Sequence, residues 1–252
     1  MKELEDYDWF PDILRLQQME FIGWITSHMG VLNGAVAPYR KWQPKGKIMD
    51  LCSGSGQPAI RMHPKAGSGD LELTDLHPSF LKTLPEGYAS ANVVLRTQPL
   101  DVLGTERRWM NEASGYTMYN AFHHFSAHQQ KMIVSRLIQA EKPFFFVEIL
   151  QPNLWSFLQI LLTTTLGQFI LAPFIRPFRW SRLLFTYLLP VNLLTIPFDG
   201  LVSVFRSQSQ EEYLSRISSL ATEEYEIKIY NKQSAFGTQL TILEGVPIQQ
   251  DL

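Results

Sequence analysis

The sequence predicts an α/β fold in which a mostly parallel sheet of seven strands has helices on both faces. Short apolar strands alternate with helical segments through residues 45–150, and the connections are long enough for crossovers. Two more alternating stretches near the end of the chain are separated by a short gap, which favours an antiparallel hairpin at the sheet edge. A long apolar segment between the fifth and sixth strands predicts a helical insertion.

The strands are predicted where apolar residues alternate or cluster between turn residues. The first contains Ile48, Met49 and Leu51, and the fifth is apolar enough to be central. The remaining strands are expected at 71–77, 92–96, 116–120, 143–149, 225–231 and 237–243.

Helices are predicted from apolar spacing and from capping residues. The spacing from Asp12 to about Gly30 predicts an N-terminal helical region, which Asn33-Gly34 and Pro38 are expected to interrupt. Ser209 with Glu212 three residues later predicts a capping box for a helix to about Leu220, and another helix is expected over 126–140. One domain is expected, divided into a cover (1–44), a ligand-binding core (45–150), an apolar insertion or lid (151–205) and a closing part (206–252).

Composition excludes several classes of function. The 252 residues are 45% hydrophobic and 18% charged, with a net charge of −2, so nucleic-acid binding has no electrostatic support. The single cysteine, Cys52, excludes an internal disulfide and offers no metal-ligand spacing, so no metal is expected. The acidic start has no apolar stretch behind it, which predicts a cytoplasmic protein without a signal peptide.

Small residues follow the first strand. Ser53, Gly54, Ser55 and Gly56 form a loop before a helix that opens near Pro58, and proline suits an early helical position. Backbone N–H groups of such a loop can approach a ligand closely. Ligands of open parallel sheets bind at the carboxyl ends of the strands, so we expect the site there.

The stretch Asp50-Leu-Cys-Ser-Gly-Ser-Gly56 resembles the first motif of the class I S-adenosylmethionine (SAM)-dependent methyltransferases. Thr74-Asp75 resembles that family's ribose-binding acid, and Asp101 resembles the polar residue near the adenine. Tyr119-Asn-Ala-Phe-His-His-Phe125 is similar to the stretch after the fourth strand in small-molecule members. Thr186-Tyr187 with Pro190, and Asp199–Arg206, resemble segments of one branch of those enzymes.

This resemblance implies a Rossmann-like fold and SAM as cofactor, with S-adenosylhomocysteine (SAH) as product. Backbone N–H groups of the turn would hold the cofactor's carboxylate, Asp50 its ammonium side, and Asp75 the ribose diol. Cys52 departs from the family pattern, which has glycine there. The implied cofactor-binding residues are Asp50, Cys52, Ser53, Gly54, Gly56, Asp75, Leu76, Leu100, Asp101, Val102, Asn120 and Ala121.

Methyl transfer is an in-line displacement that depends on alignment and on exclusion of water, and a general base is optional. His123, His124, Glu148 and Asp199 are the candidates for positioning the acceptor or for removing its proton. Each also has an ordinary structural interpretation. The histidines would be packed, Glu148 would form a cap or salt bridge, and Asp199 would form a turn or an N-cap.

Two other functions fit parts of the sequence. Gly54-Ser-Gly-Gln-Pro-Ala59 matches a dinucleotide fingerprint, with Asp75 about 20 residues on. Asp50 stands where that fingerprint has an apolar residue, and no Tyr-x-x-x-Lys dyad follows, so a nicotinamide oxidoreductase is disfavoured. A non-catalytic scaffold with the same fold is the other alternative.

The insertion contains two uncharged runs, 154–172 and 183–198, the second broken by Pro190 and Pro197. The first run, at ~20 residues, is long enough to cross a membrane. Its glutamines and threonines disfavour a span, as do the later arginines, which a two-pass hairpin would place against the positive-inside tendency. We expect helices that pack against the domain as an ordinary helical layer, line a pocket for a small apolar or aromatic acceptor, form a homodimer interface, or contact a membrane peripherally through 154–198.

Overall fold

The centre of the molecule is a seven-stranded sheet with the strand order β3-β2-β1-β4-β5-β7-β6. The computed structural model describes residues 2–63, 69–78 and 92–248. Strands β1 to β5 are parallel, and β7 is antiparallel to both β5 and β6, which confirms the predicted fold class. The strands are β1 (Ile48–Asp50), β2 (Leu71–Leu73), β3 (Val93–Leu95), β4 (Gly115–Tyr119), β5 (Phe144–Glu148), β6 (Tyr225–Gln233) and β7 (Gln239–Pro247).

Helices cover both faces of this sheet. In the described ranges they are α1 (Asp12–His28), α2 (Asn33–Trp42), α3 (Gln57–Met62), α4 (Ala127–Gln139), α5 (Leu154–Leu162), α6 (Gln168–Leu171), α7 (Trp180–Leu183), α8 (Asn192–Arg206) and α9 (Gln210–Ile217). A π-helical turn, Thr163–Gly167, joins α5 to α6, and a second one, Leu184–Leu188, follows α7. The capping box of Ser209 and Glu212 is present at the start of α9, as predicted.

Alternate residues of the central strands enter two separate cores. Met49, Tyr116 and Phe144 pack on one face against α4 and α9. Ile48 and Phe145 pack on the other face with residues of α2 and α3. Because both faces are buried, β4 and β5 read as continuous apolar runs, which is typical of central parallel strands.

Local predictions were wrong at two places. Pro38 lies inside α2 and does not end it. The loss of one backbone donor is offset because Tyr39 and Trp42, in the same helix, pack their rings on Phe145. Strand β2 ends at Leu73, and the polar residues up to His77 form the following loop.

Buried polar contacts join the insertion to α1. Glu20 accepts hydrogen bonds from Arg179 Nε at 2.9 Å and from Arg182 Nη2 at 2.5 Å. Asn192 donates to Gln17 Oε1 at 2.8 Å. Glu20 and Arg182 are both buried, so their charges are compensated almost entirely by each other and by Arg179.

We predict that Glu20→Ala lowers the free energy of unfolding by about 3–5 kcal/mol, because a buried guanidinium then loses its carboxylate. Arg182 would retain only the carbonyl oxygens of Ile175 and Pro177. Urea unfolding followed by circular dichroism measures the loss. Asp12→Ala is the matched control on the same helix, because Asp12 is exposed and its ion pair with Arg15 lies at the surface. Equal losses in the two variants would contradict this account.

Candidate functional site

A left-handed turn connects β1 to α3. Cys52, Gly54 and Gly56 have φ angles of 54°, 53° and 70°, and Gly56 is the N-cap of α3. Ser53 Oγ donates to the Asp50 carbonyl at 3.0 Å, which ties the turn back to the strand. Cys52 therefore adopts the backbone conformation that the family pattern assigns to glycine, with its side chain packed beside the core.

Asp50 places a buried carboxylate beneath this turn. Its Oδ1 accepts a hydrogen bond from Thr117 Oγ1 at 2.7 Å. The pKa of Asp50 is raised to about 7, mainly by burial; the hydrogen bonds from Thr117 and Ser53 oppose the rise, and the nearby Asp75 adds to it. Among the described groups that act on this carboxylate, none is a cation. A cationic ligand group at this position would relieve the cost of its burial.

Asp75 lies across the turn from Asp50. Its Oδ2 accepts the Gly54 N–H at 2.9 Å, and its Oδ1 accepts the His77 N–H at 2.8 Å. A carboxylate has about four lone-pair sites, so the hydrogen bonds from the described residues use about half of its acceptor capacity. Asp75 is half-buried, whereas the adjacent Leu76 is exposed.

The loop after β3 approaches the same edge of the sheet. Leu100 N–H donates to the Asp75 carbonyl at 2.9 Å, and Asp101 Oδ1 accepts the Leu103 N–H at 2.8 Å. Arg136 of α4 donates to the Val102 carbonyl and so fixes this loop against the core. The expected adenine-side residues are thus brought next to the expected ribose-side acid.

Asn120 ends β4 with a φ angle of 52°, and its Oδ1 accepts the Ile149 N–H at 3.3 Å. Asparagine tolerates this left-handed conformation better than most side chains. The turn lets the chain pass through Ala121 into a short 3₁₀ segment, Phe122–His124, at the carboxyl edge of the sheet.

His123 and Glu148 form a buried pair at the ends of β4 and β5. His123 Nδ1 lies 2.5 Å from Glu148 Oε2, and the Phe122 N–H donates to Glu148 Oε1 at 2.8 Å. His123 Nε2 is buried and has no partner among the described residues. The carboxylate fixes the orientation of the ring, and in the neutral tautomer that donates Nδ1–H to Glu148 the other nitrogen, Nε2, is an acceptor.

The imidazole ring of His124 lies beside that of His123, and their centroids are 4.4 Å apart. Burial, together with His123 and Arg206, lowers the pKa of His124 well below its usual value, so this imidazole is neutral. Its Nδ1 is 3.8 Å from Glu3 Oε1. The ligand atoms of Glu3, His123 and His124 lie within 4.8 Å of one another, but the Arg206 guanidinium, 3.6 Å from Glu3 Oε1, already supplies positive charge there.

The sequence suggested a turn or an N-cap at Asp199, but this residue lies inside α8. Its carboxylate accepts the Leu4 N–H at 2.6 Å, the Glu5 N–H at 3.2 Å and the Gln18 side-chain N–H at 2.8 Å. It therefore caps the short 3₁₀ turn Leu4–Asp6 from a distant helix. The structure does not bring this carboxylate into hydrogen-bonding contact with His123 or His124.

Three residues of α8, four and three positions apart, hold the N-terminal segment. Besides Asp199, Ser203 donates to Glu3 Oε1 at 3.0 Å, and Arg206 donates to Asp6 Oδ2 at 2.8 Å and to the His124 carbonyl at 2.6 Å. Sequence reasoning noted this stretch of α8 but missed Glu3. No local pattern marks Glu3, because its partners lie 200 residues along the chain.

Helix α1 covers the glycine turn directly. A Cβ added to Gly23 would lie 1.9 Å from Ser55 Oγ and 3.0 Å from Ser55 Cβ. Only glycine allows α1 to approach the turn so closely. The expected N-terminal cover is thus in contact with the loop that the sequence assigned to ligand binding.

Several known structures share this fold. A SAM-dependent methyltransferase from Anabaena variabilis aligns over 94% of this chain and 95% of that chain, with a TM-score of 0.50 and 15% identity. Human N-acetylserotonin methyltransferase in complex with SAM aligns over 91% of this chain, with a TM-score of 0.50 and 14% identity. A Rhodobacter sphaeroides protein named as a Zn-dependent alcohol dehydrogenase aligns over 94% of this chain and 98% of that chain, with a TM-score of 0.52 and 11% identity.

At such identities the likeness shows the fold alone, which this chain shares with the two methyltransferases and with the Rhodobacter sphaeroides protein. The chain spans 55% of the length of the human protein and 56% of the length of TnmH, another matched structure. No protein-family model and no curated protein matches the sequence.

We predict that Gly23→Ala lowers the free energy of unfolding by about 1–3 kcal/mol, because the added methyl overlaps Ser55. The double variant Gly23→Ala/Ser55→Gly removes both clashing atoms and should recover most of the loss. Thermal and urea unfolding of the two single variants and the double variant complete the cycle. Additive losses would show that α1 and the turn do not meet.

We also predict that the N-terminal segment is held less firmly as the pH rises. Burial raises the pKa of Glu3 to about 9, from 4.5 when unperturbed. Between those values the folded chain keeps a proton that the unfolded chain has lost, so the free energy of unfolding falls with rising pH. Melting temperatures from pH 6 to 9 should show this slope.

Glu3→Gln should flatten that slope, whereas Asp8→Asn, which changes an exposed side chain of the same segment, should retain it. An unchanged slope in Glu3→Gln would refute the assignment to Glu3.

Proposed function

We propose that this chain is a SAM-dependent methyltransferase acting on a small apolar or aromatic acceptor. The observation that carries the proposal is a pair of carboxylates, Asp50 and Asp75, on either side of a left-handed glycine turn at the ends of adjacent parallel strands. Two acids and exposed backbone donors suit a ligand with an ammonium, a carboxylate and a diol. They suit a polyphosphate poorly, because the acids would repel it.

The residues present fit that cofactor. N–H groups of the turn at 53–56 would bind the carboxylate of its amino-acid part. Asp50, which is buried without a cation among the described residues, would face the ammonium. The free lone pairs of Asp75 would accept the ribose hydroxyls.

SAM supplies an electrophilic methyl group, which an acceptor atom takes in line with the leaving sulfur. The chain's own task is to align the acceptor and exclude water. Water would be excluded by helix α1, which covers the glycine turn, and by the segment Glu3–Asp6, which lies beside His124.

His123 is the residue placed to take the acceptor's proton. Its Nδ1 is held by Glu148, so the unpartnered Nε2 provides the lone pair. Glu148 also stabilises the imidazolium once the proton has moved. Neutral His124 and Glu3, beside it, would contact the acceptor.

A nicotinamide oxidoreductase is less well supported. The usual dinucleotide-binding sheet is parallel in all six strands, whereas here β7 runs antiparallel between β5 and β6. A non-catalytic scaffold gives no reason for burying Asp50 beneath the turn.

Calorimetric titration with SAH tests the proposal. We predict that the chain binds SAH and that Asp75→Ala weakens binding about tenfold to a hundredfold, because hydrogen bonds to a charged group contribute about 1.5–3 kcal/mol. Asp70→Ala, at the opposite end of β2, is the control and should bind normally. Binding of NADH in place of SAH and SAM would favour the oxidoreductase, and binding of none of them would favour the scaffold.

We predict that His123→Gln lowers kcat by about a hundredfold to ten-thousandfold while SAH binding is retained. The assay follows an isotope-labelled methyl group from SAM into acceptors identified by mass spectrometry. His128→Gln changes an exposed histidine of α4 and should leave the rate unchanged. A wild-type rate in His123→Gln would show that this residue does not act as the base.

A further inference from the structure

The insertion has polar residues inside and apolar residues outside. Every exposed residue from 154 to 198 is apolar, aromatic or proline, with the single exception of Arg176. Six polar side chains of the same stretch are buried, namely Ser156, Thr164, Gln168, Arg182, Thr186 and Asn192. Six more are half-buried, namely Gln159, Thr163, Thr165, Arg179, Ser181 and Thr195. This arrangement is the reverse of a water-facing surface, and it is the arrangement found where a helix faces lipid.

The exposed apolar area is concentrated in this one region. Of the 25 exposed large apolar side chains in the described ranges, 18 lie between Leu154 and Phe205. Trp180 is 78% exposed, Leu188 75% and Leu194 72%. Patches of this extent on soluble proteins mark binding surfaces, whereas single exposed leucines do not.

Several less buried polar groups of this region form hydrogen bonds within the chain. Thr165 donates to the Leu161 carbonyl at 2.5 Å, and the exposed Tyr187 hydroxyl donates to the Phe169 carbonyl at 2.5 Å. Gln159 donates to the Phe236 carbonyl at 2.7 Å. Groups paired in this way need no water and offer few hydrogen bonds to a protein partner, so they favour a hydrocarbon environment.

Charge also favours lipid. No carboxylate lies between Glu148 and Asp199, and Arg176 is the exposed charge of the stretch. Exposed tryptophans, Trp155 and Trp180, accompany it. Tryptophan and arginine are residues that anchor proteins at the headgroup level of a bilayer.

The insertion is tied to the α/β domain and so does not cross the membrane. The run Leu154–Leu171 is long and apolar enough for a span, and 17% of it is buried. Yet α5 is anchored by the Trp155 indole to the Gly237 carbonyl, and the later arginines are held by Glu20. A span would have to break these contacts, of which the ion pair between Arg182 and Glu20 is buried.

We propose that the exposed residues between 154 and 198, here termed the apolar face, dock this protein on the surface of a phospholipid bilayer. The helices lie in the interfacial plane, with Arg176 at the level of the phosphates. The site would then receive an acceptor dissolved in the membrane, a consequence that rests on the proposed function. The docking itself does not depend on that function.

Flotation of the full chain with vesicles tests the docking without any assay of methyl transfer. We expect the protein to float with phosphatidylcholine vesicles, and to bind vesicles containing one quarter phosphatidylglycerol more tightly. Leu188→Glu/Leu194→Glu should weaken binding to both by at least about tenfold, because two apolar anchors are lost. Arg176→Gln should weaken binding only to the anionic vesicles, by about fivefold.

Ile248→Glu, which alters an exposed apolar residue far from the insertion, is the matched control and should float like the unaltered protein. Circular dichroism confirms that each variant is folded. The proposal is overturned if the folded protein stays with neither vesicle. It is also overturned if light scattering shows a dimer that Leu188→Glu/Leu194→Glu dissociates, because the apolar face then joins two copies of the chain.

Discussion

Two buried carboxylates hold the N-terminal region and the insertion together, and each region supplies one of them. Glu20 of α1 is held by arginines of the insertion, and Asp199 of α8 is held by Gln18 and by N–H groups of the N-terminal turn. Each is 2% exposed or less, so neither can lose its partners without a large cost. Helix α1 is consequently fixed between the insertion and the glycine turn, with Gly23 against Ser55.

Helix α8 connects the N-terminal segment with the apolar face. Its inner side presents Asp199, Ser203 and Arg206 to the N-terminal segment and to the carbonyl of His124. Its outer side leaves Leu194 and Phe198 exposed. Along the axis of α8, these two residues lie about 12–18 Å from Arg206, which contacts the carbonyl of His124.

Local patterns in the sequence predicted the parts of the fold that local interactions determine. The β6–β7 hairpin, the capping box at Ser209 and the glycine turn each depend on residues close together in the chain. The sheet followed because alternating strands and helices leave few topologies. Pro38 was misjudged because the contacts of Tyr39 with the sheet outweigh a local penalty.

The site could be predicted only in outline. Asp50, Asp75 and His123 were selected from motifs, and Glu148 from its position at the end of the fifth strand. The 2.5 Å contact between His123 and Glu148, however, depends on strand register. The capping of residues 4 and 5 by Asp199 joins positions 195 and 194 residues apart, which no periodicity reveals. In the insertion, the sequence showed that the residues are apolar but not which way their side chains face. Whether its leucines line a pocket or face outward is decided by the buried polar network with α1.

The central claim is that one cofactor spans the turn and points its reactive atom at His123. A crystal structure of the chain with SAH tests this most directly. The account predicts the SAH carboxylate on the N–H groups of residues 53–56, its ribose on Asp75, and its sulfur separated from His123 Nε2 by the space of one acceptor group. SAH bound elsewhere, or with its adenine beside His123, would contradict it.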